Sequence, residues 1–313
     1  MKRALLFPGQ GSQAIGMGKE LSGAFQSAKD VFAEVDEALK QNLSKLMFEG
    51  DDADLKMTEN TQPALMAVSM AVVRVLEKEG GKKVSDLASY VAGHSLGEYA
   101  ALCAAGTFGL ADTARLLRKR GSAMQAAVPA GIGSMAALLG VDMQQAAEIA
   151  KEAEQGQVCA AANDNSVGQV VISGHKEAIE RAVAIAATKG FKRSVILPVS
   201  APFHCSLMQP AADVMNEALA QVKMSAPVVP VIANVTASEQ TDVSEIRKLL
   251  VAQVTGAVRW RESMLTLKEK GVASAIEAGS GTVLAGLMKR IDKDVSVTSL
   301  HTPQDIEAFL KSA

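Results

Sequence analysis

Gly93-His94-Ser95-Leu96-Gly97 has the Gly-x-Ser-x-Gly spacing, in which small residues at both ends let a serine sit on a sharp strand-to-helix turn with its hydroxyl exposed. A serine hydroxyl is a weak nucleophile at neutral pH, so a base must take its proton. The chain offers four histidines. His94 adjoins the serine inside the turn and reads as structural or peripheral; His175 opens a helix and reads as a surface or cap residue. His204 sits in the Pro-stiffened loop Ser200-Ala201-Pro202-Phe203-His204-Cys205, and His301 follows the last strand, where the chain order of an α/β-hydrolase puts its base. Spacing leans toward His204 and leaves both open. Asp292 and Asp294 could serve His301, whereas no acid lies just before His204, so the orienting group is also open; a carbonyl or an amide side chain would serve.

Arginine is the side chain suited to clamp a substrate carboxylate, through two parallel charge-assisted hydrogen bonds. The helical stretch from Leu110 to Val128 has an apolar stripe through Leu110, Ala114, Leu117, Gly121, Met124 and Val128. Arg118 and Arg120 each lie about 80° from the centre of that stripe, while Arg115 and Lys119 point away from it. Either of the first two can reach a site. The helix after the elbow also offers the backbone N–H of Leu96 to a developing oxyanion.

These residues need a sheet to hold them. Arg3 to Phe7 reads as a strand ended by Pro8-Gly9-Gln10-Gly11, and Ser89 to Ala92 as a short buried strand entering the elbow, with a helix from Glu98 to Ala105. Thr61 and Pro63 predict the start of a helix that runs to Glu79 and stops at Gly80-Gly81. From about residue 130 the order becomes βαββαβ, the split unit of ferredoxin-like domains, with strands at Ser134–Leu139, Val158–Ala162, Gln169–Ser173 and Lys192–Leu197. Alternation resumes afterwards with strands near Val228–Asn234, Val272–Glu277 and Val295–Ser299. The expected fold class is therefore α/β: a large α/β-hydrolase-like domain with a mostly parallel sheet, 1–128 and 199–313, and an inserted small ferredoxin-like domain, 129–198.

A chain of 313 residues is long enough for a sizeable core, and with 32 basic against 34 acidic residues it lacks the cationic excess of a nucleic-acid binder. Cys103, Cys159 and Cys205 are too few and too scattered for a disulfide framework or a metal site, which suits a reducing, cytoplasmic setting. The apolar run after Lys2-Arg3 stops at Pro8, too short for a signal peptide, and the uncharged stretch 121–141 carries Pro129 and three interior glycines, making it a poor membrane span.

Ordered motifs along nearly the whole chain resemble the malonyl-CoA:acyl carrier protein transacylases. They are Phe7-Pro8-Gly9-Gln10-Gly11-Ser12-Gln13, Gly93 through Tyr99, Arg120-Gly121 with Met124-Gln125, Gly168 through Gly174, Pro202-Phe203-His204, Asn234-Val235-Thr236 and Gly279-Ser280-Gly281. The resemblance implies that Ser95 is acylated, that His204 is its base, and that the amides of Gln10 and Leu96 form the oxyanion hole. It implies further that Arg120 binds the malonyl carboxylate, that Gln253 helps hold the histidine in place of an acid, and that Phe203 crowds an α-methyl branch. Malonyl-CoA and acyl carrier protein are the expected partners, the chain acting as a monomer with no metal or organic cofactor. Lys189, Lys192, Arg193, Lys289 and Arg290 are the candidates for a basic patch facing an acidic carrier protein.

A serine esterase or thioesterase is the rival reading. It would share the elbow, use the late His301 with an acid, and have no need of Arg120.

Overall fold

A computed structural model describes residues 2–199 and 201–312. Its strands, in chain order, are β1 (Lys2–Phe7), β2 (Tyr90–Gly93), β3 (Gly133–Leu139), β4 (Cys159–Ser166), β5 (Gln169–His175), β6 (Ser194–Ile196), β7 (Val231–Ile232), β8 (Glu239–Gln240), β9 (Val272–Ala278) and β10 (Ser296–Leu300). They form two sheets. One has the order β10-β9-β1-β2-β7-β8 and is parallel except at β8; the other, β4-β5-β3-β6, is antiparallel.

The apolar run Ala4 to Phe7 is wholly buried because β1 is central and covered on both faces, as an uninterrupted hydrophobic strand requires. Chain order runs outward from β1 in both directions, so the carboxyl end of β1 is the place where a crevice opens in such sheets. Parallel pairing in the register Phe7 to Gly93 brings β1 and β2 to an end side by side. The Pro8–Gly11 loop and the elbow therefore leave the sheet together, tied by the His94 N–H donating to the Phe7 carbonyl at 3.0 Å.

Two expectations need correction. The long helix is Thr58–Lys78, starting five residues before Pro63, and Thr61 does not cap it; the Thr61 hydroxyl donates instead to the Leu55 carbonyl at 2.6 Å. The extra turn forms because it is buried against the Leu110–Ala126 helix, where a Cβ on Gly121 would lie only 2.6 Å from the Glu59 Cα. The strand expected over Val228–Asn234 shortens to β7, since the chain beyond Ile232 turns away and Asn234 serves the elbow. The uncharged stretch 121–141 is a junction, the end of one helix, a turn and then β3. No helix among the described residues is long and apolar enough to cross a membrane.

Candidate active site

Ser95 sits at φ 54°, ψ −108°, between β2 and the Leu96–Ala104 helix. A non-glycine residue there is strained and must be held by its surroundings. Two features hold it. A Cβ on Gly93 would lie 1.9 Å from the Gly97 carbonyl carbon, and one on Gly97 would lie 2.3 Å from the Phe7 carbonyl oxygen, so both ends of the motif must be glycine for the backbones to close. Asn234 completes the clamp: its Oδ1 accepts from the Ser95 N–H at 2.8 Å and its Nδ2 donates to the Gly93 carbonyl at 2.8 Å. The next amide, Leu96, is the first residue of its helix, where N–H groups have no intrahelical partner.

The structure brings His204, not His301, to Ser95. Its Nε2 lies 2.8 Å from the Ser95 Oγ, and its Nδ1 lies 2.8 Å from the Gln253 backbone carbonyl. A carbonyl only accepts, so Nδ1 carries the hydrogen and Nε2 presents a lone pair to the serine. The Gln253 main chain thus fixes the orientation of the His204 ring. Burial, reinforced by the positive charge of Arg120, pulls the His204 pKa down to about 3, so the ring rests neutral and ready to accept a proton. His204 also has a positive φ, 59°, so the serine and the histidine both sit on strained backbone. Ser200, at the start of this loop, lies outside the described residues.

Arg120 is 1% exposed and reaches the same point. Its Nη2 donates to the Ser95 Oγ at 3.2 Å and to the Gln253 Oε1 at 2.8 Å, its Nη1 donates to the Gln62 Oε1 at 2.8 Å, and its guanidinium lies 5.7 Å above the Tyr99 ring. No carboxylate forms an ion pair with it among the described residues. A buried cation held only by neutral amides, a hydroxyl and a ring is poised for an anion brought by a ligand. Arg118, which periodicity could not separate from Arg120, is spent elsewhere on Asn60 and Gln41.

These groups face a cavity of about 380 Å³ between the two sheets. Gln10, Leu96 and Phe203 line it beside Ser95, Arg120 and His204, and β3 to β5 supply the opposite wall with Met135, Asn163, Asn165 and Val171. His94 lines it as well, its Nε2 2.8 Å from the Asn165 Oδ1 and its ring beside Trp260. His175 does not cap its helix; its Nδ1 accepts from the Val158 N–H at 2.9 Å. Asp292 and Asp294 pair with Lys268, so neither serves His301, whose neighbour is Asp305 at 3.2 Å. Among the basic-patch candidates Lys189 pairs with Glu152, and Arg290 donates to Gln169 on the cavity wall. The described residues contain no cluster of three or more His, Cys, Asp or Glu that could hold a metal.

Sequence reasoning missed Glu98, Gln62 and the role of Asn234. Glu98 is 2% exposed, and burial raises its pKa to about 7 against the pull of its bonds from Gln253 and Asn234 and of the Arg120 charge. Its place two residues after Leu96, in the first turn of a helix, reads from sequence only as a favourable helix-dipole charge.

A serine on a strained elbow, a neutral histidine at hydrogen-bond distance and a helix-start amide at the carboxyl end of a parallel sheet are the parts of an acyl-serine enzyme. The family model for the acyl transferase domain matches residues 4–302. Malonyl CoA-acyl carrier protein transacylase of Bacillus subtilis is 43% identical over 312 residues, 99% of this chain and 97% of that protein. The transacylase of the same name from Escherichia coli K12 is 44% identical over 308 residues, 98% of each chain. The crystal structure of acyl-carrier-protein-S-malonyltransferase from Bartonella henselae superposes with a TM-score of 0.97 at 55% identity, covering 100% of this chain and 99% of that one. A malonyl-transacylase in complex with its type II PKS acyl-carrier protein gives 0.96 at 40% identity, with all of both chains covered. The chain belongs to the acyl transferase family.

Proposed function

We propose that this protein moves a malonyl group from malonyl-CoA to the phosphopantetheine thiol of holo acyl carrier protein through a malonyl-Ser95 ester, in the service of fatty acid synthesis. The observation that carries the reading is the unpaired, buried Arg120 guanidinium 3.2 Å from the Ser95 Oγ, beside the 2.8 Å contact between that oxygen and His204. A general acyl-serine enzyme needs the second feature; only one that takes a carboxylated acyl group needs the first.

In the first half-reaction the Ser95 oxygen bonds to the thioester carbon while His204 Nε2 takes the hydroxyl proton. The amides of Gln10 and Leu96 hold the tetrahedral oxyanion. The C–S bond then breaks, CoA leaves with the proton from His204, and a malonyl ester remains on Ser95. In the second, the carrier thiol gives its proton to His204 and its sulfur attacks that ester; the C–O bond breaks and the proton returns to Ser95. The thioester brings its own activation, so the sequence of steps calls for no metal or organic cofactor. Phe203, buried at the cavity wall, disfavours an α-methyl branch.

The finer architecture follows the same reading. Residues 1–128 and 199–313 make an α/β-hydrolase-like catalytic body, and 129–198 an inserted ferredoxin-like unit. The strand order β4-β5-β3-β6 supports the insertion, as does a separate apolar core drawn wholly from residues between Ala136 and Phe191. The protein works in the cytoplasm as a monomer.

The test is a split reaction. Enzyme exposed to malonyl-CoA and freed of CoA should hold one malonyl group, and holo acyl carrier protein added afterwards should remove it. Transfer that requires both substrates together, or release to water at the rate of transfer, would contradict the reading.

A further inference from the structure

We propose that Glu98 is a positioning residue for the malonyl site: through the side-chain amide of Gln253 it fixes the way Arg120 is presented beside Ser95. This rests on the function proposed above and adds a residue that acts behind the reacting groups.

The Gln253 side chain has two unlike ends, and its surroundings sort them. Its Nε2 donates to the Glu98 Oε2 at 2.7 Å, and sits 3.0 Å from the Ser95 carbonyl and 3.3 Å from the Asn234 Oδ1, all acceptors. Its Oε1 faces the Arg120 Nη2 at 2.8 Å, a donor. Turned end for end, the amide would set oxygen against those acceptors and N–H against the guanidinium. The contact with Glu98 is the shortest of the three and the one with an ionisable acceptor, so it contributes most to the orientation.

The same carboxyl oxygen accepts from the Asn234 N–H at 3.2 Å, and Asn234 clamps the elbow. Glu98 therefore stands behind both the nucleophile and its arginine. Arg120 has each fork end held by a glutamine oxygen, Gln62 and Gln253, so its reach toward Ser95 depends on the second of these keeping its oxygen forward. The role requires an acceptor at the right reach rather than a charge, and that separates two conservative variants. Glu98→Gln keeps the reach and one oxygen; Glu98→Asp keeps the carboxylate but withdraws it by one methylene.

The readout is the ratio of Ser95 acylation rates with malonyl-CoA and acetyl-CoA, taken from intact mass against time. Glu98→Gln should hold the wild-type ratio within ~3-fold, and Glu98→Asp should lower it ~10-fold, about the worth of one hydrogen bond. A merely structural residue would slow both acyl groups alike and leave the ratio unchanged. An unchanged ratio in Glu98→Asp, or an equal fall in Glu98→Gln, overturns the proposal. If Glu98→Asp does not fold, Gln253→Leu replaces it, since it keeps the carbonyl that holds His204 and removes the amide; a wild-type ratio there is equally fatal. Wild-type enzyme that shows no preference for malonyl would instead fail the functional reading itself.

Discussion

His204 and His301 stand in contrasting surroundings. His301 has an aspartate 3.2 Å from its Nδ1, but that nitrogen makes no hydrogen bond, and the side chain is 37% exposed and borders a different cavity, where the nearby Ser280 hydroxyl already donates to the Ser12 carbonyl. His204 has no acid partner among the described residues. It is 4% exposed, fixed by a peptide carbonyl, and touches Ser95, whose backbone is forced outward by the elbow. On the proposed mechanism, what would make a base is a fixed tautomer with a nucleophile in reach, and an aspartate nearby is not enough.

Separate alanine substitutions of the two histidines distinguish these roles most sharply. His204→Ala should lower transfer by about 10³-fold or more, since proton removal from the serine is lost; activity within ~5-fold of wild type would end the distinction. Next in size is Arg120→Ala. Loss of a buried partner for a carboxylate should cut acylation by malonyl-CoA ~100-fold and spare acetyl-CoA, as read from acylation rates.

The same variant moves the pH profile. Burial holds the His204 pKa at about 3 and the Arg120 charge adds to that depression, so removing the guanidinium lets the pKa rise. The acid limb of acetyl-CoA acylation should then shift to higher pH in Arg120→Ala; a shift to lower pH would contradict the electrostatic coupling.

A smaller effect concerns stability. Glu98 has its folded pKa raised above its ordinary value to about 7, chiefly by burial, so its favourable contribution is complete below about pH 4.5 and is lost as pH rises through 7. Glu98→Gln has no such loss. Urea midpoints of wild type should fall relative to the variant across that window, by on the order of 1–3 kcal/mol in stability; parallel curves would refute it. Smallest of all, His301→Ala should leave transfer within ~2-fold and cost under about 1 kcal/mol, as the loss of a partly exposed side chain away from the core does.

Much of this site could be read from local pattern. The elbow is a run of five residues whose flanking glycines and strand-to-helix context are all in sequence, and β1 is visible as an apolar run cut by Pro8. What failed to show was set by contacts across the fold. Arg118 and Arg120 are equivalent on a helical wheel and were separated by what lies opposite, Gln41 and Asn60 for one, Gln62 and Gln253 for the other. The group orienting His204 is a backbone carbonyl, which leaves no mark on residue type. Glu98 and Thr61 mislead for one reason: a polar side chain in a helix reads as solvent-facing or capping, and both are buried by helices and strands distant in sequence.

On the proposed mechanism the Ser95 hydroxyl becomes an ester with His204 as its base. Brief exposure to malonyl-CoA followed by digestion and mass analysis of the peptide containing Ser95 tests it most directly. The expected result is a malonyl group on Ser95 in wild type and in His301→Ala, and almost none in His204→Ala over the same interval. A label elsewhere, or one on Ser95 that needs His301 and not His204, would contradict it.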